Sequence, residues 1–307
     1  MTLPQKPIVN LGIFVADAAF RAPRMPRMGE TILGNGFHLG PGGKGSNQAV
    51  ASAMAGGRSH LITRLGDDDF AAMARDIWAR AGVQPEVTVD GESFTGAAMI
   101  FLEAETGNNA IIVTPGAASR ITPADVEARR ALIESAAIFI TQLEQPIPAA
   151  QRGLEIARAA GVTTILNPAP AAPLPDAMLA LCDYITPNES EAEALTGLPV
   201  TTIDEAKTAA AALLAKGVGA VVITLGGQGA LYHDRNQTLH CPALSAGKVI
   251  DTTGAGDAFN GGFAVALSEG MPIARALRFA TATAGISVTR QGTAGAMPTR
   301  AEIEAML

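Results

Sequence analysis

The sequence predicts an α/β fold in which helices cover a mostly parallel β-sheet and a small separate β-sheet forms a lid. From Pro123 onward, helical and strand patterns alternate regularly, as they do when helices connect parallel strands. Short strand patterns at Thr31–Leu39, Thr95–Leu102 and Asn109–Val113 stand outside this alternation and suggest antiparallel lid strands. The 307 residues are 48% hydrophobic, which suits one large domain.

The first half of the chain contains the lid strands and the elements that join them to the main sheet. Ile8–Phe14 has the pattern of a short strand, and Asp17 follows at a position where open α/β sheets bind ligands but where Asp also forms turns. The next predicted elements are the helix Gln48–Ala55, the strand Ser59–Arg64 and the helix 69–81. We expect a single domain spanning 1–307, with the lid drawn from about residues 12–40 and 94–114.

The second half of the chain supplies most of the predicted parallel sheet. In order, we expect a helix ending at Ser135, strand Ala136–Thr141, helix Pro148–Ala160, strands Thr163–Asn167 and Tyr184–Thr186, helices Glu189–Leu195 and Asp204–Lys216, strand Ala220–Thr224, two helical stretches within Ile273–Thr289, and a terminal helix with a capping box of Thr299 and Glu302.

Polar residues follow several of these strands. They are Glu144, Asn167, Asn188 with Glu191, and Thr224 with Gly226, Gly227 and Gly229. Each alone also suits a helix cap or a turn. Because parallel strands end at the same edge of a sheet, we expect these residues to converge on one ligand site.

The stretch DTTGAGDAFNGGFA at 251–264 carries the strongest indication of chemistry. Gly254, Ala255 and Gly256 have little side-chain bulk and lead to Asp257 and an apolar run at helical spacing. Unpaired N–H groups and peptide dipoles make a helix start favourable for an anion, and small residues let a phosphate approach. Asp257 is either a cap of this helix or a base that accepts a proton from a substrate hydroxyl while the amides hold a phosphoryl group.

A second glycine-rich stretch, GPGGKGSN at 40–47, lies between predicted lid strands. It is not a P-loop, because the first glycine of that motif would fall on His38. It is also not a strong dinucleotide fingerprint, because Gln48 stands where the third glycine of G-x-G-x-x-G would follow Gly43 and Gly45. Its glycines allow close approach of a ligand, while Lys44 and Asn47 supply donors that suit a neutral polyol. A flexible turn that begins a helix is the alternative.

Charge and composition argue against several classes of function. The net charge is −7 and the pI near 5.2, without a cluster of Lys or Arg, which disfavours nucleic acid and acidic membranes. The two cysteines lack CxxC spacing, and the four histidines form no metal-ligand motif. Residues 1–7 lack the pattern of a signal peptide, so we expect a cytoplasmic protein.

The two glycine-rich stretches resemble the two signatures of the ribokinase-like (pfkB) carbohydrate kinases. GGKGSNQA at 42–49 resembles the first signature and DTTGAGDAFNGGFA at 251–264 the second. The residues NESE at 188–191 resemble the family's N-x-x-E motif, and TLGGQG at 224–229 its nucleotide loop. The resemblance covers essentially the full chain and is closest to the ribokinase members. It implies a three-layer α/β/α fold with a β-sheet lid, and phosphate transfer from ATP to the primary hydroxyl of a small sugar, ribose or a related pentose.

The resemblance also implies catalytic and sugar-binding roles. Asp257 would be the catalytic base, and the amides of Gly254, Ala255 and Gly256 would form the anion hole for the γ-phosphoryl group. The sugar would be held by Asp17, Gly43, Lys44, Asn47, Glu144 and Asp257.

Nucleotide, metal and assembly roles follow from the same resemblance. ATP would contact Asn188, Thr224, Gly226, Gly229 and the region near Thr281, with Glu191 helping to place Mg²⁺. A K⁺ ion would be bound by Asp251, Thr253 and the carbonyls of Ser287, Arg290 and Gly292, and would hold the anion-hole loop in shape. Family members often dimerise through the lid, so we expect a homodimer.

Two positions depart from the pattern of the ribokinase members. Those members carry Asn two residues before the sugar-binding Asp, where this chain has Val15, so a sugar hydroxyl would lose a hydrogen bond. Ala296 stands where they offer a hydroxyl near the cation, which predicts a weaker K⁺ site.

Other functions stay open on the sequence alone. An NAD-binding oxidoreductase is disfavoured because no strand-linked G-x-G-x-x-G occurs near the start, and a non-catalytic sugar-binding regulator would be expected to lack Asp257. Within the family, a nucleoside kinase and another sugar kinase such as a fructokinase are the alternatives. Aromatic residues make up only 4% of the chain, which leaves few side chains to stack on a base.

Overall fold

The computed structural model describes residues 5–106 and 108–307, so the stretch 1–7 and the turn 103–108 fall partly outside the described residues. The predicted α/β class is confirmed, because the described part contains a nine-stranded, mostly parallel sheet and a separate four-stranded sheet. The strands are β1 (Ile8–Leu11), β2 (Val15–Ala22), β3 (Gly36–Gly42), β4 (Ser59–Leu65), β5 (Gln84–Val89), β6 (Thr95–Glu103), β7 (Asn109–Gly116), β8 (Ile138–Thr141), β9 (Thr163–Leu166), β10 (Tyr184–Ile185), β11 (Ala220–Thr224), β12 (Ala230–His233) and β13 (Thr238–Cys241).

The helices connect these strands and flank the large sheet. They are α1 (Lys44–Met54), α2 (Asp69–Ala81), α3 (Pro123–Glu127), α4 (Arg130–Glu134), α5 (Ile147–Ala159), α6 (Asp176–Leu179), α7 (Glu189–Thr196), α8 (Ile203–Ala215), α9 (Ala255–Ser268), α10 (Ile273–Ser287) and α11 (Arg300–Ala305). In the described part of the chain, no helix has the length and hydrophobicity needed to cross a membrane.

The central strands of the large sheet are buried on both faces, which explains why β1, β8 and β11 are mostly apolar. Its spatial order is β13-β12-β11-β10-β9-β8-β1-β4-β5, and only the pairs β11–β12 and β12–β13 are antiparallel. Neighbouring residues in a strand point to opposite faces. Accordingly, Val221 packs in a cluster with α5 and α8, whereas Val222 packs in another with α9 and α10. Helices therefore form a layer on each side of the sheet.

The small sheet has the order β3-β2-β6-β7 and is the lid that the sequence predicts. Its outer pairs are antiparallel, but its central strands β2 and β6 run parallel, so the expectation of an antiparallel lid was wrong at its centre. Asp17 lies inside β2, not just past a strand of the main sheet as expected. The apolar run 8–14 leaves the large sheet at Leu11, and the chain enters the lid at Val15.

Several element boundaries differ from the sequence-based prediction. The strand expected at Thr31–Leu39 is Gly36–Gly42, the helix expected to end at Ser135 is divided into α3 and α4, and the two stretches expected within Ile273–Thr289 form one helix, α10. The strands β5, β12 and β13 were not predicted. The predicted capping box of Thr299 and Glu302 is confirmed at the start of α11.

Candidate active site

A cavity of about 220 Å³ lies at the carboxyl edge of the large sheet. Asn167 and Thr186 directly follow β9 and β10, and Thr224 ends β11, so these three strands deliver polar groups to the same edge. The cavity is lined by Lys44, Asn167, Ala169, Thr186, Asn188, Glu191, Thr224, Thr252, Gly254, Ala255, Gly256, Asp257 and Asn260. Most of the residues expected to contact phosphate are thus brought together.

A larger cavity of about 470 Å³ lies at the opposite edge of the sheet. It is lined by Arg158, Gly161, Val162, Thr163, Asp183, Tyr184, Gly219, Ala220 and Tyr232, which include the first residues of β9, β10 and β11. Open α/β sheets bind their ligands at the carboxyl ends of the strands, so we assign the active site to the smaller cavity.

Helix α9 begins at the mouth of the smaller cavity, the candidate active site. Gly254 precedes it with φ of 76°, in the left-handed region that favours glycine, and no side chain caps the helix. The N–H of Ala255 donates to the carbonyl of Thr252 at 3.2 Å, whereas those of Gly254 and Gly256 have no hydrogen-bond partner among the described residues. A Cβ built on Gly256 would meet nothing within 4 Å, which leaves room for a ligand beside its N–H.

Asp257 lies in the first turn of α9 but does not cap the helix. Its Oδ2 accepts a hydrogen bond of 3.0 Å from Asn47 Nδ2, and its Oδ1 accepts one of 3.0 Å from Gln48 Nε2. The residue is 5% exposed and lines the cavity. The geometry therefore favours the alternative in which the carboxylate contacts a ligand in the cavity over the one in which it caps the helix.

Helix α1 brings the glycine-rich stretch 40–47 against Asp257. Gly43 precedes the helix with φ of 87°, and a Cβ there would lie 2.6 Å from the carbonyl oxygen of Ile13. The helix begins at Lys44, whose N–H donates to Glu144 Oε2 at 2.7 Å. Lys44 and Asn47 therefore belong to the first turn of α1, four residues before the expected start at Gln48.

Four ionisable groups face Asp257 across the site. Burial, and next the charge of Asp257, raise the pKa of Asp17 from 3.8 to about 6. Burial also raises the pKa of Glu144 from 4.5 to about 7, against the opposing charge and N–H of Lys44. Burial alone would lower the pKa of Lys44, but the charges of Asp257, Glu144 and Glu191 outweigh it and raise that pKa. Burial raises the pKa of Glu191 despite a hydrogen bond from Asn188.

The expected nucleotide residues divide into two groups. Asn188 and Glu191 form a capping box at the start of α7, in which each side chain accepts the other residue's N–H, and both line the cavity with Thr224. Gly226, Gly229 and Thr281 do not line it. A Cβ on Gly229 would lie 2.0 Å from the carbonyl oxygen of Cys241, and the Thr281 hydroxyl donates to the sulfur of Cys241 at 3.6 Å.

The residues expected to bind K⁺ lie near the loop that precedes α9. Asp251 Oδ1 accepts from the N–H of Thr253 at 2.9 Å and Oδ2 from that of Gly292 at 3.0 Å. Burial alone would raise the pKa of Asp251, but these hydrogen bonds outweigh it and lower the pKa. The carbonyl of Ser287 accepts from the N–H of Arg290 at 3.1 Å. Ala296 is 1% exposed and brings no side-chain oxygen to this region.

Sequence reasoning missed three polar residues of the site. Gln48 and Gln142 are fully buried and linked to each other, and Asn260 joins Thr186 to the carbonyl of Gly256. Gln48 and Asn260 lie inside the two glycine-rich signatures, and a polar residue within an otherwise apolar helical run could have identified them. Among the described residues, no group of three or more His, Cys, Asp or Glu is arranged to hold a metal ion.

Comparison with known proteins places this geometry in a family. Residues 5–300 match the model of the pfkB family carbohydrate kinases. The chain is 37% identical to a ribokinase of Haemophilus influenzae over 97% of both chains, and 35% identical to a deoxyribokinase of Salmonella typhi over 95% of both. A structure of Arabidopsis thaliana ribokinase complexed with ribose and ATP superposes with a TM-score of 0.90 at 30% identity, covering 98% of both chains.

Proposed function

The chain belongs to the pfkB family of carbohydrate kinases, and on that premise we propose that it phosphorylates the primary hydroxyl of ribose or a related pentose with ATP. The observation that carries this proposal is the position of Asp257. Its carboxylate lines the same cavity as the N–H groups of Gly254 and Gly256 and the ammonium-bearing Lys44. A base and anion-binding donors thus face one small volume, which phosphoryl transfer requires.

In this reaction Asp257 accepts the proton of the sugar hydroxyl as that oxygen attacks the γ-phosphorus, the bond from this phosphorus to the β–γ bridging oxygen breaks, and ADP leaves. The N–H groups at the start of α9, from Gly254 to Gly256, stabilise the charge on the phosphoryl oxygens. Ala255 would have to exchange its hydrogen bond to Thr252 for one to phosphate, whereas the other two amides are available as they stand.

The sugar side of the site consists of Asp17, Gly43, Lys44, Asn47 and Glu144 around Asp257. Their carboxylates, amide and ammonium suit the hydroxyl groups of a small polyol. Val15 precedes Asp17 by two residues on β2, so both side chains lie on the same face of the strand, and Val15 is 3% exposed. An apolar group there favours 2-deoxyribose as the second candidate, because a deoxy carbon needs no hydrogen-bond partner.

For ATP, we propose contacts with Asn188, Thr224 and the loop that contains Gly226 and Gly229, with Thr281 farther from the phosphates. The helix cap uses Oε2 of Glu191, which leaves Oε1 for a water molecule or for Mg²⁺. Mg²⁺ bound with ATP would neutralise phosphate charge, and a carboxylate oxygen is one of the ligands that this ion prefers. Glu191 therefore fits a supporting role in placing the nucleotide.

We propose that K⁺ binds beside Asp251, with Thr253 and the carbonyls of Ser287, Arg290 and Gly292. The carboxylate of Asp251 and main-chain oxygens form a donor set that suits a hard cation. Asp251 already ties the anion-hole loop to Gly292, so a cation there would stiffen the loop before α9.

The experiment that tests this function is an ADP-release screen over ribose, 2-deoxyribose, fructose and adenosine, each with and without K⁺. We expect release with ribose or 2-deoxyribose, faster in K⁺, and a 5-phosphate product by mass spectrometry. Release with adenosine alone, or with none of the four, would contradict the proposal.

Because a kinase consumes ATP, we place the protein in the cytoplasm. We also propose a homodimer formed through the lid.

A further inference from the structure

A chain of buried side-chain amides runs behind Asp257. Gln48 Nε2 donates to Asp257 Oδ1 and to Asn167 Oδ1, both at 3.0 Å. Gln48 Oε1 accepts from Gln142 Nε2 at 2.6 Å. Gln48 and Gln142 are fully buried, and Asn167 is 6% exposed, so water does not compete for these hydrogen bonds.

The direction of every amide in this chain is fixed by its neighbours. A main-chain carbonyl can only accept, so Asn167 must turn Nδ2 to the carbonyl of Thr186, at 2.9 Å, and its Oδ1 to Gln48. Gln48 therefore meets two acceptors, Asn167 Oδ1 and the carboxylate of Asp257, with its two N–H groups. Its Oε1 then needs a donor from the other side, and Gln142 supplies it. The opposite orientation of Gln48 would set oxygen against oxygen at both contacts.

We propose that Gln48 and Gln142 are positioning residues for the catalytic base. Gln48 holds Oδ1 of Asp257 while Asn47 holds Oδ2, so the carboxylate cannot rotate, and each oxygen keeps a lone pair for the incoming hydroxyl. Gln142 acts only through Gln48, by donating to its Oε1 and so holding the amide in place against Asp257. This inference rests on the proposed function, in which Asp257 is the base.

The expected effects follow from the strength of hydrogen bonds to a charged group. Gln48→Met keeps the length of the side chain and removes its amide, and we expect kcat to fall about 10- to 100-fold. Gln142→Met leaves the buried Oε1 of Gln48 without a donor and so loosens the amide that holds Asp257, and we expect a loss of about 3- to 10-fold. The KM values for sugar and ATP should stay within about twofold, because neither glutamine lines the cavity beside these ligands.

The decisive measurement is a double-mutant cycle in kcat. If Gln142 acts through Gln48, then Gln142→Met costs activity in the wild-type background but nothing further in the Gln48→Met background. Equal losses in both backgrounds, or no loss in either, would overturn the proposal. Asn10→Leu is the matched control, since Asn10 is a fully buried amide of β1 that bonds Ser59 and His60 away from the cavity. It should lower the thermal stability and leave kcat unchanged.

A second readout does not depend on the substrate. In the sugar-free protein, the side-chain amide NMR signals of Gln48 can be identified by their absence in Gln48→Met. We expect these signals to shift in Gln142→Met and in Asp257→Asn, and to stay in place in Asn10→Leu. If the Gln48 signals shift in both variants while the wild type phosphorylates no sugar, the proposed function is wrong, but the hydrogen-bonded link from Gln142 through Gln48 to Asp257 is supported. If they respond to neither variant, the positioning role is wrong even in an active kinase.

Discussion

At the scale of single residues, the site depends on a carboxylate that is buried yet still faces a cavity. Asp257 accepts hydrogen bonds from Asn47 and Gln48 and lines the space where the phosphoryl group would lie. Both donors come from α1, more than 200 positions earlier in the chain. A side chain used only as a helix cap would bond the N–H groups of its own first turn instead.

The first residue-scale prediction concerns the base. Asp257→Asn removes the group that we propose takes the proton, and we expect kcat to fall by roughly 10²–10⁴ while the fold and ATP binding persist. Steady-state kinetics and ATP titration by calorimetry would measure both effects. Asp204→Asn is the matched control, because Asp204 lies in the first turn of α8 and should tolerate the change. Turnover of Asp257→Asn at the wild-type rate would remove Asp257 from its role.

The second residue-scale prediction concerns pH and stability. Because the pKa of Glu144 is raised from 4.5 to about 7, the folded protein retains a proton there that the unfolded chain has already released. The free energy of unfolding of the ligand-free protein should therefore fall as pH rises from about 4.5 to 7. One pKa unit corresponds to about 1.4 kcal/mol, so Glu144 contributes up to about 3 kcal/mol of this loss.

Glu144→Gln isolates that contribution, because the amide oxygen can still accept from the N–H of Lys44. Denaturant unfolding at pH 5 and pH 7.5 should show that the variant loses less stability than the wild type between the two values. Asp17, with a pKa of about 6, keeps part of the pH dependence in the variant. Parallel curves for the two proteins would contradict the assignment.

At the scale of elements, the site is made where α1 and α9 approach closely. A Cβ on Gly261 of α9 would lie 2.4 Å from the Cβ of Ala51, and Ser52 of α1 donates to the carbonyl of Gly261 at 3.5 Å. The small residues let the two helix axes come close enough for side chains of α1 to reach Asp257. The packing of α1 against α9 therefore determines how the Asp257 carboxylate is held.

The sequence predicts the middle of most elements better than their ends. A short apolar run located β11, and apolar residues at helical spacing located α2, both with correct boundaries. The start of α1 was missed because GGKG has low helix propensity, and the N–H of Lys44 is satisfied by Glu144, which lies 100 residues away. The strands β12 and β13 are short and follow a glycine-rich loop, so no long periodic pattern marked them.

At the scale of the whole molecule, the convergence of strand ends could be predicted from the sequence, whereas the hydrogen bonds between the side chains of the site could not. Asn167, Asn188 and Thr224 lie at one edge because the strands before them are parallel. The link from Gln142 through Gln48 to Asp257 joins three segments far apart in sequence, and no local pattern indicates such a contact. Resemblance to the family supplied the expected roles, but the hydrogen-bond directions required the structure.

The last prediction concerns assembly through the lid. Its sheet exposes several large apolar side chains: Phe20 (48%), Phe37 (62%), Ile111 (53%), Ile112 (61%) and Val113 (47%). The strand pairing puts Phe20, Phe37 and Ile112 on one face of the sheet. Exposed apolar side chains on one face of a small sheet with two edge strands favour pairing with a second copy of the chain. We therefore expect light scattering to give about twice the 31.3 kDa mass of the chain at micromolar concentration.

Ile112→Asp tests which surface forms the dimer. A charge buried there without a partner should weaken the dimer at least about tenfold and shift the mass toward the monomer. Val89→Asp is the control, because Val89 is 54% exposed on β5, at an edge of the large sheet. It should remain dimeric, since the lid is unchanged. A monomeric wild type across the micromolar range, or a dimer lost only in Val89→Asp, would exclude the lid as the interface.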